Sequence, residues 1–475
     1  TSGNIKVGTY NLVDGGMASL GYTVTATTGT LTVQQREISI SGFAVSNKVY
    51  DGTTTATVTN AGNVSGKVTG DDVSVASVTA AFGNKHVGVG KSLTISGGTL
   101  TGADSANYYA TISGSTTATI EAKAVTLTSP NITKTYDGNE SYSVTASNLT
   151  ALSTQLGVSG DSVSSATLAF TNKNAGAGNK TVTTSDAVIS DGNNGNNYII
   201  SYSNNTTSTI TKKTVGLSAS KVYDGDTSLT GKVTITTGVG SETLTFTGAA
   251  ANDANVATAN KYFSAITLAD GTNGGLAANY ALPSLTTASA NNTVTINPLT
   301  VTLNGTTATK TYDGTTALTG NQITISGLIG SQTLTYTGAT ANSANVGTGN
   351  YINAMTLANG TNGGLASNYA LPTLNASNAP VEIAKANLSA IGSKVYDGNV
   401  SFLGTSLTVT GVNGETFSAS GEGVLNGKDV QTNQALLSVR GLVLAGVSGS
   451  LLTNYNDLTI GQTSVSVTVK TINLS

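Results

Sequence analysis

Lys48-Val49-Tyr50-Asp51-Gly52 is the stretch on which the fold turns, because it returns four more times with only its second position changing. The copies are Lys134-Thr135-Tyr136-Asp137-Gly138, Lys221-Val222-Tyr223-Asp224-Gly225, Lys310-Thr311-Tyr312-Asp313-Gly314 and Lys394-Val395-Tyr396-Asp397-Gly398. Tyrosine to tyrosine, the interval is about 84 to 89 residues, longer than the stacked unit of a solenoid and close to a small domain that buries its own core. The chain reads as a tandem array.

Period-two geometry puts the Lys and Tyr of each phrase on one strand face and the residue between them on the other, while Asp-Gly supplies the backbone of a tight turn. Each copy therefore predicts a strand running into a turn. For Tyr50 and its counterparts two readings stand side by side. One is an aromatic body in a small core with its hydroxyl bonded at the rim; the other is a ligand-binding tyrosine beside a carboxylate.

A second fixed mark follows in every full module: Asn107-Tyr108, Asn197-Tyr198, Asn279-Tyr280, Asn368-Tyr369 and Asn454-Tyr455. With both marks in register, modules fall at 37–123, 124–213, 214–298, 299–385 and 386–475, the last including the first strand of a following repeat. Residues 1–36 correspond to the later part of a preceding module, with Tyr22-Thr23-Val24-Thr25-Ala26 and Gly29-Thr30-Leu31-Thr32-Val33 as its closing strands. Excision from a longer array is the expectation. Joints such as Thr211-Lys212-Lys213-Thr214 carry no Gly/Ser hinge, so closing strands should run directly into opening ones and each module should close around its own tyrosine-bearing core.

Composition narrows the class. Of 475 residues only 9% are charged and the net charge is −3, which gives no basic footprint for nucleic acid. Val, Ile, Leu and Tyr alternate with Ser, Thr and Asn, and helical spacing is missing, so almost no helix is expected. With no Cys, neither disulfides nor thiolate metal sites can contribute. No stretch reaches the roughly 18 apolar residues of a membrane helix, and no signal-peptide pattern opens the sequence. No membrane insertion is expected within the segment; a targeting sequence lay upstream, or the protein is intracellular.

Catalytic chemistry has little to stand on. The single His86 aligns with loop positions that are not His in other modules, and a surface histidine is the simpler reading. No Gly-x-Ser-x-Gly elbow joins a strand to a helix, and Gly88-Val89-Gly90-Lys91-Ser92 lacks the spacing of a phosphate loop. No cofactor is expected. Calcium is the one candidate, through turns such as Asp191-Gly192-Asn193-Asn194-Gly195, although Asn359 replaces the corresponding acid in module four. One Lys and one Asn-Tyr per module also suggest an intramolecular Lys–Asn isopeptide bond.

Together, the Lys-x-Tyr-Asp-Gly phrases, the loop Asn345-Val346-Gly347-Thr348-Gly349, the Asn-Tyr pairs and the closing Thr-Ile strands resemble the YDG and MBG repeat domains of large, two-partner-secreted, filamentous-haemagglutinin-like bacterial adhesins. That resemblance implies an extracellular protein of the bacterial cell surface or biofilm matrix. The expected fold is all-β: small antiparallel β-sandwich modules, immunoglobulin-like in outline and strung into an elongated rod, with β-grasp-like modules as the alternative. A structural stalk is the expected function; the alternative is that the repeats themselves bind extracellular polysaccharide or other adhesin molecules through many weak contacts.

Overall fold

A computed structural model describes residues 5–13, 28–304 and 309–474. The chain divides into two compact units, one built on residues 1–214 with 239–241 and 276–281, the other on the remainder. Both are mostly strand, arranged as small sheets. The expected strand at Tyr22–Ala26 lies outside the described residues, whereas Gly29–Val33 is a strand and pairs antiparallel with Gly8–Leu12.

The second repeat shows the plan within the first unit. Its opening strand, Lys123–Thr128, runs parallel to Tyr198–Ser203, the strand that starts at the Asn-Tyr mark. The phrase strand, Thr133–Thr135, runs parallel to the closing strand Asn205–Thr211. Between them lies a long antiparallel hairpin, Ser162–Phe170 with Gly176–Ser190, whose second strand also borders the closing strand. A parallel pair needs a crossover of a dozen or more residues, and here the body of the repeat is that crossover. The same two parallel pairings recur in the first repeat, Arg36–Ser41 with Tyr108–Ile112 and Lys48–Val49 with Thr117–Glu121.

In the second unit the fifth repeat holds the most continuous sheet. Its central strands, Ser389–Val395 and Thr463–Thr468, are parallel. Leu407–Thr410 flanks the first and Gln431–Gln434 flanks the second, both antiparallel. The third repeat shows the same core, Gly216–Val222 between antiparallel Val233–Thr236 and parallel Asn292–Asn297. The sheets are thus mixed, which corrects the expectation of purely antiparallel modules. Alternating side chains identify a half-buried strand but not the direction of its neighbour.

One α-helix lies among the described residues, Ala146–Leu156, in keeping with the expectation of almost no helix. Leu152 and Leu156, four apart and so on one helix face, are fully buried. Thr145 and Asn148 form a reciprocal capping box at the start, and Gly157 closes the end at φ 62°. The Ser/Thr-rich sequence hides the helical period, yet its caps are standard ones. Gln155 then anchors the helix by pairing its side-chain amide with both the N–H and the carbonyl of Thr128.

The core departs from expectation. In the first unit a single apolar cluster contains Tyr50, Phe82 and Ile120 of the first repeat together with Leu127, Leu152, Val163, Ile189 and Tyr198 of the second. Repeats do not each close around their own tyrosine. A module of this size buries a modest fraction of its surface, and sharing the aromatic centre enlarges the core.

Candidate functional site: the turn and the joint

Each Lys-x-Tyr-Asp-Gly phrase builds two things. The first is local. Lys48 Nζ lies 2.8 Å from Asp51 Oδ1 and donates to the carbonyls of Thr53 and Thr55, both at 2.9 Å. Lys134, Lys221, Lys310 and Lys394 repeat the arrangement on Asp137, Asp224, Asp313 and Asp397 at 2.6–2.8 Å, each also reaching the carbonyl seven residues on. The aspartate in turn accepts the N–H two residues later, from Thr53, Asn139, Asp226, Thr315 and Asn399. An ammonium with three donors is thereby satisfied inside a turn that would otherwise leave carbonyls unpaired. Gly52, Gly138, Gly225, Gly314 and Gly398 take φ of 77–85°, where a Cβ is strained.

Electrostatics follow from that geometry. Burial works to raise the carboxyl of Asp51, but the Lys48 hydrogen bond and the Thr53 donors outweigh it and hold the group below its ordinary range. Asp137 and Asp313 are lowered for the same reasons.

The second thing is a joint. Tyr50 meets Tyr198 edge-on, with ring centroids 5.4 Å apart and planes at 76°. Tyr136 and Tyr280 do likewise at 5.4 Å within the first unit, as do Tyr223 and Tyr369 at 5.5 Å and Tyr312 and Tyr455 at 5.4 Å within the second. Every pair joins a phrase tyrosine to the Asn-Tyr tyrosine one mark beyond its own. Such edge-to-face pairs contribute about 0.5–1.5 kcal/mol beyond the area they bury.

A polar bridge ties the hydroxyls. Tyr50 and Tyr198 both donate to Asp161 Oδ2 at 2.8 Å, and Lys85 Nζ reaches Oδ1 of the same carboxylate at 3.2 Å. Glu415 accepts Tyr312 and Tyr455 on its two oxygens. Gln332 does the work of the acid between Tyr223 and Tyr369: its Nε2 donates to the first hydroxyl and its Oε1 accepts from the second. Burial, then the hydrogen bond to a carboxylate, pushes the Tyr198 and Tyr455 hydroxyls well above the ordinary phenol range. These tyrosines stay neutral donors.

The asparagine beside each tyrosine reads a loop. Val87 N–H donates to Asn197 Oδ1 at 3.0 Å, and Ala175, Val256 and Val346 donate to Asn279, Asn368 and Asn454 at 2.8–2.9 Å. A backbone N–H can only donate, so the amide is oriented: Nδ2 donates to Asn174, Asn255 and Asn345 Oδ1 at 2.8–3.1 Å. Where the loop carries His86 instead, Asn197 Nδ2 faces Nδ1 of the ring at 3.3 Å. That nitrogen must accept, which places the ring proton on Nε2. At the start of the described chain Val7 N–H donates to Asn107 Oδ1 at 2.9 Å, so residues 5–13 supply the same loop to the first Asn-Tyr mark. Tyr108 donates to Asp71 and accepts from Val68 N–H.

The structure thus gathers the two sequence marks into one constellation, but from successive repeats. It brings no phrase lysine onto an Asn-Tyr asparagine: the lysines hold turns and the asparagines hold joints, which removes the geometry the isopeptide idea requires. His86, read as a surface residue, is a joint member. Asp191, the calcium candidate, spends its carboxylate on the N–H groups of Asn193, Gly195 and Asn197. The bridging Asp161, Gln332 and Glu415 escape sequence reasoning because acid and amide interchange there and only the fold aligns them.

A tandem array of small mixed-sheet repeats, fastened through a shared tyrosine pair, is the class these observations define. The YDG domain family model matches residues 34–119, 121–208 and 293–376, together more than half of the sequence, and the chain belongs to that family. A comparison with curated proteins finds no match.

Proposed function

We propose that the chain is a spacer segment, a stalk, of a secreted bacterial surface or biofilm-matrix adhesin that mediates cell adhesion or aggregation. The observation that carries this reading is the joint. In each unit the phrase tyrosine, the Asn-Tyr pair and a bridging side chain lock successive marks together with buried rings and oriented hydrogen bonds. Material of this kind transmits position and tension instead of closing around a substrate. In outline the repeats are β-grasp-like: the parallel central strands of the fifth repeat, each flanked by an antiparallel neighbour, support that form over an immunoglobulin-like sandwich. Small-angle scattering tests the stalk. Its maximum dimension should grow in proportion to repeat number, and a compact particle would defeat the reading.

A groove favours a second reading, direct binding of polysaccharide. About 790 Å³ lies open in the fourth repeat beside Leu318, Asn321, Ile325 and Tyr336, with an aromatic face and amide of the kind sugars stack on and bond. Glycan arrays probed with the chain and with Tyr336→Ala decide it: retention that survives the substitution, or none at all, removes this groove as the site.

A further inference from the structure

Tyr396, the fifth phrase tyrosine, is seated as the other four are. Its N–H donates to Thr468 O at 2.9 Å, as Tyr50 N–H does to Glu121 O and Tyr312 N–H to Ala384 O, each at 2.8 Å. Its lysine and aspartate, Lys394 and Asp397, form the usual turn. What differs is cover. Tyr50, Tyr136, Tyr223 and Tyr312 are all buried beneath another mark's tyrosine, whereas Tyr396 is only half-buried. A Cβ placed on Gly52, Gly225 or Gly314 would strike Val158, Ile329 or Asn413 at 2.6–2.9 Å; on Gly398 it would meet nothing within 4 Å.

The loop beside it is also bare. Phe82, Phe170, Ala251, Ala341 and Leu425 each donate their N–H to the carbonyl three residues past the phrase aspartate, at 2.8 Å. This common bond sets the register. Asp429-Val430 therefore occupies the place of His86-Val87, Asn174-Ala175, Asn255-Val256 and Asn345-Val346, the pairs that the Asn-Tyr asparagines read. Those four pairs are half-buried, while Lys428, Asp429 and Val430 are exposed, Val430 by 54%.

We propose that Tyr396, Asp429 and Val430 form a docking surface for the Asn-Tyr edge of another YDG-type repeat. The incoming asparagine accepts Val430 N–H and donates to the Asp429 carboxylate, and the incoming tyrosine lays its ring edge-on against Tyr396. Four internal joints of the same design identify what covers such a surface. The first repeat of a second copy is not the occupant, because its Asn107 already accepts Val7 N–H. The inference rests on joint geometry and stands or falls apart from the stalk reading.

Because the chain has no cysteine, Val430→Cys supplies a sole thiol at this surface. Its alkylation rate is compared in the full chain and in the chain extended past Ser475 by a copy of its own residues 129–213, which continues the register because Thr468 stands where Glu121 does. Val87→Cys marks the rate of a closed joint, and hydrogen exchange over the appended strands establishes that the added repeat is folded. Alkylation at Val430→Cys should slow about tenfold or more in the extended chain. Tyr396→Ala, or Ala in place of the appended asparagine that copies Asn197, should restore the fast rate. Equal rates in the two chains overturn the proposal, as does protection that survives both substitutions.

Discussion

Tyr312 and Tyr455 donate their hydroxyls to the two oxygens of one carboxylate, Glu415, while their rings meet edge-on at 5.4 Å. One side chain thus answers for two tyrosines from different repeats. Its loss would strand two buried hydroxyls together.

That arrangement predicts a graded series at one joint. Tyr455→Phe removes the donor to Glu415 and the acceptor for Val412 N–H, and should cost about 1–3 kcal/mol. Tyr312→Ala deletes a buried ring as well and should cost about 3–5 kcal/mol. Tyr396→Ala, half-buried, should cost less than either. Denaturant unfolding of the three variants checks the order, and a Tyr396→Ala loss equal to that of Tyr312→Ala would refute it.

Gly225 and Gly398 separate two causes of the glycine requirement. Both have φ above 80°, so alanine at either position should bear a backbone strain of about 1–2 kcal/mol. Only at Gly225 would the new Cβ also strike Ile329, at 2.9 Å. Thermal unfolding should show the larger loss for Gly225→Ala.

Replacing the turn ammonium tests the local half of the phrase. Lys221 is buried and serves the half-exposed Asp224 and two carbonyls, so Lys221→Met leaves those acceptors without their donor and should cost about 1–3 kcal/mol. Loss of amide protection should begin at residues 224–228. Protection unchanged there would show that the ammonium is dispensable.

Acid should loosen the turns in a defined direction. Asp51, Asp137 and Asp313 are held below the ordinary carboxyl range, burial being outweighed by the lysine hydrogen bond and the backbone donors. A depressed carboxyl contributes stability that is fully present above its unfolded value and is lost as pH falls through the folded one. The melting temperature should therefore hold from neutral pH to about 5 and decline below about 4. Replacing the three aspartates by asparagine should flatten that decline while lowering stability at pH 7.

Asn454→Asp keeps the shape of the joint amide but sets an oxygen where Nδ2 now donates to Asn345 Oδ1 at 2.9 Å. Two acceptors would then face each other in a site where Asn454 is 1% exposed. A loss of about 2–3 kcal/mol is expected, with faster exchange of the Val346 amide, the proton held by the other end of the same side chain.

By itself the sequence determined what is local and repeated: the array, the strand into a tight turn at each Asp-Gly, and the regular recurrence of the two tyrosine marks. Alternation and turn chemistry act over a few residues, so they can be read along the chain. Which tyrosine meets which was decided only in the folded chain, because Tyr50 and Tyr198 become neighbours through parallel strand pairing across whole repeats, and nothing local records strand direction. The bridging Asp161, Gln332 and Glu415 were settled there too. A hydroxyl needs an acceptor at hydrogen-bond distance but does not care whether acid or amide supplies it, so tertiary position selects the residue and the sequence leaves no common letter.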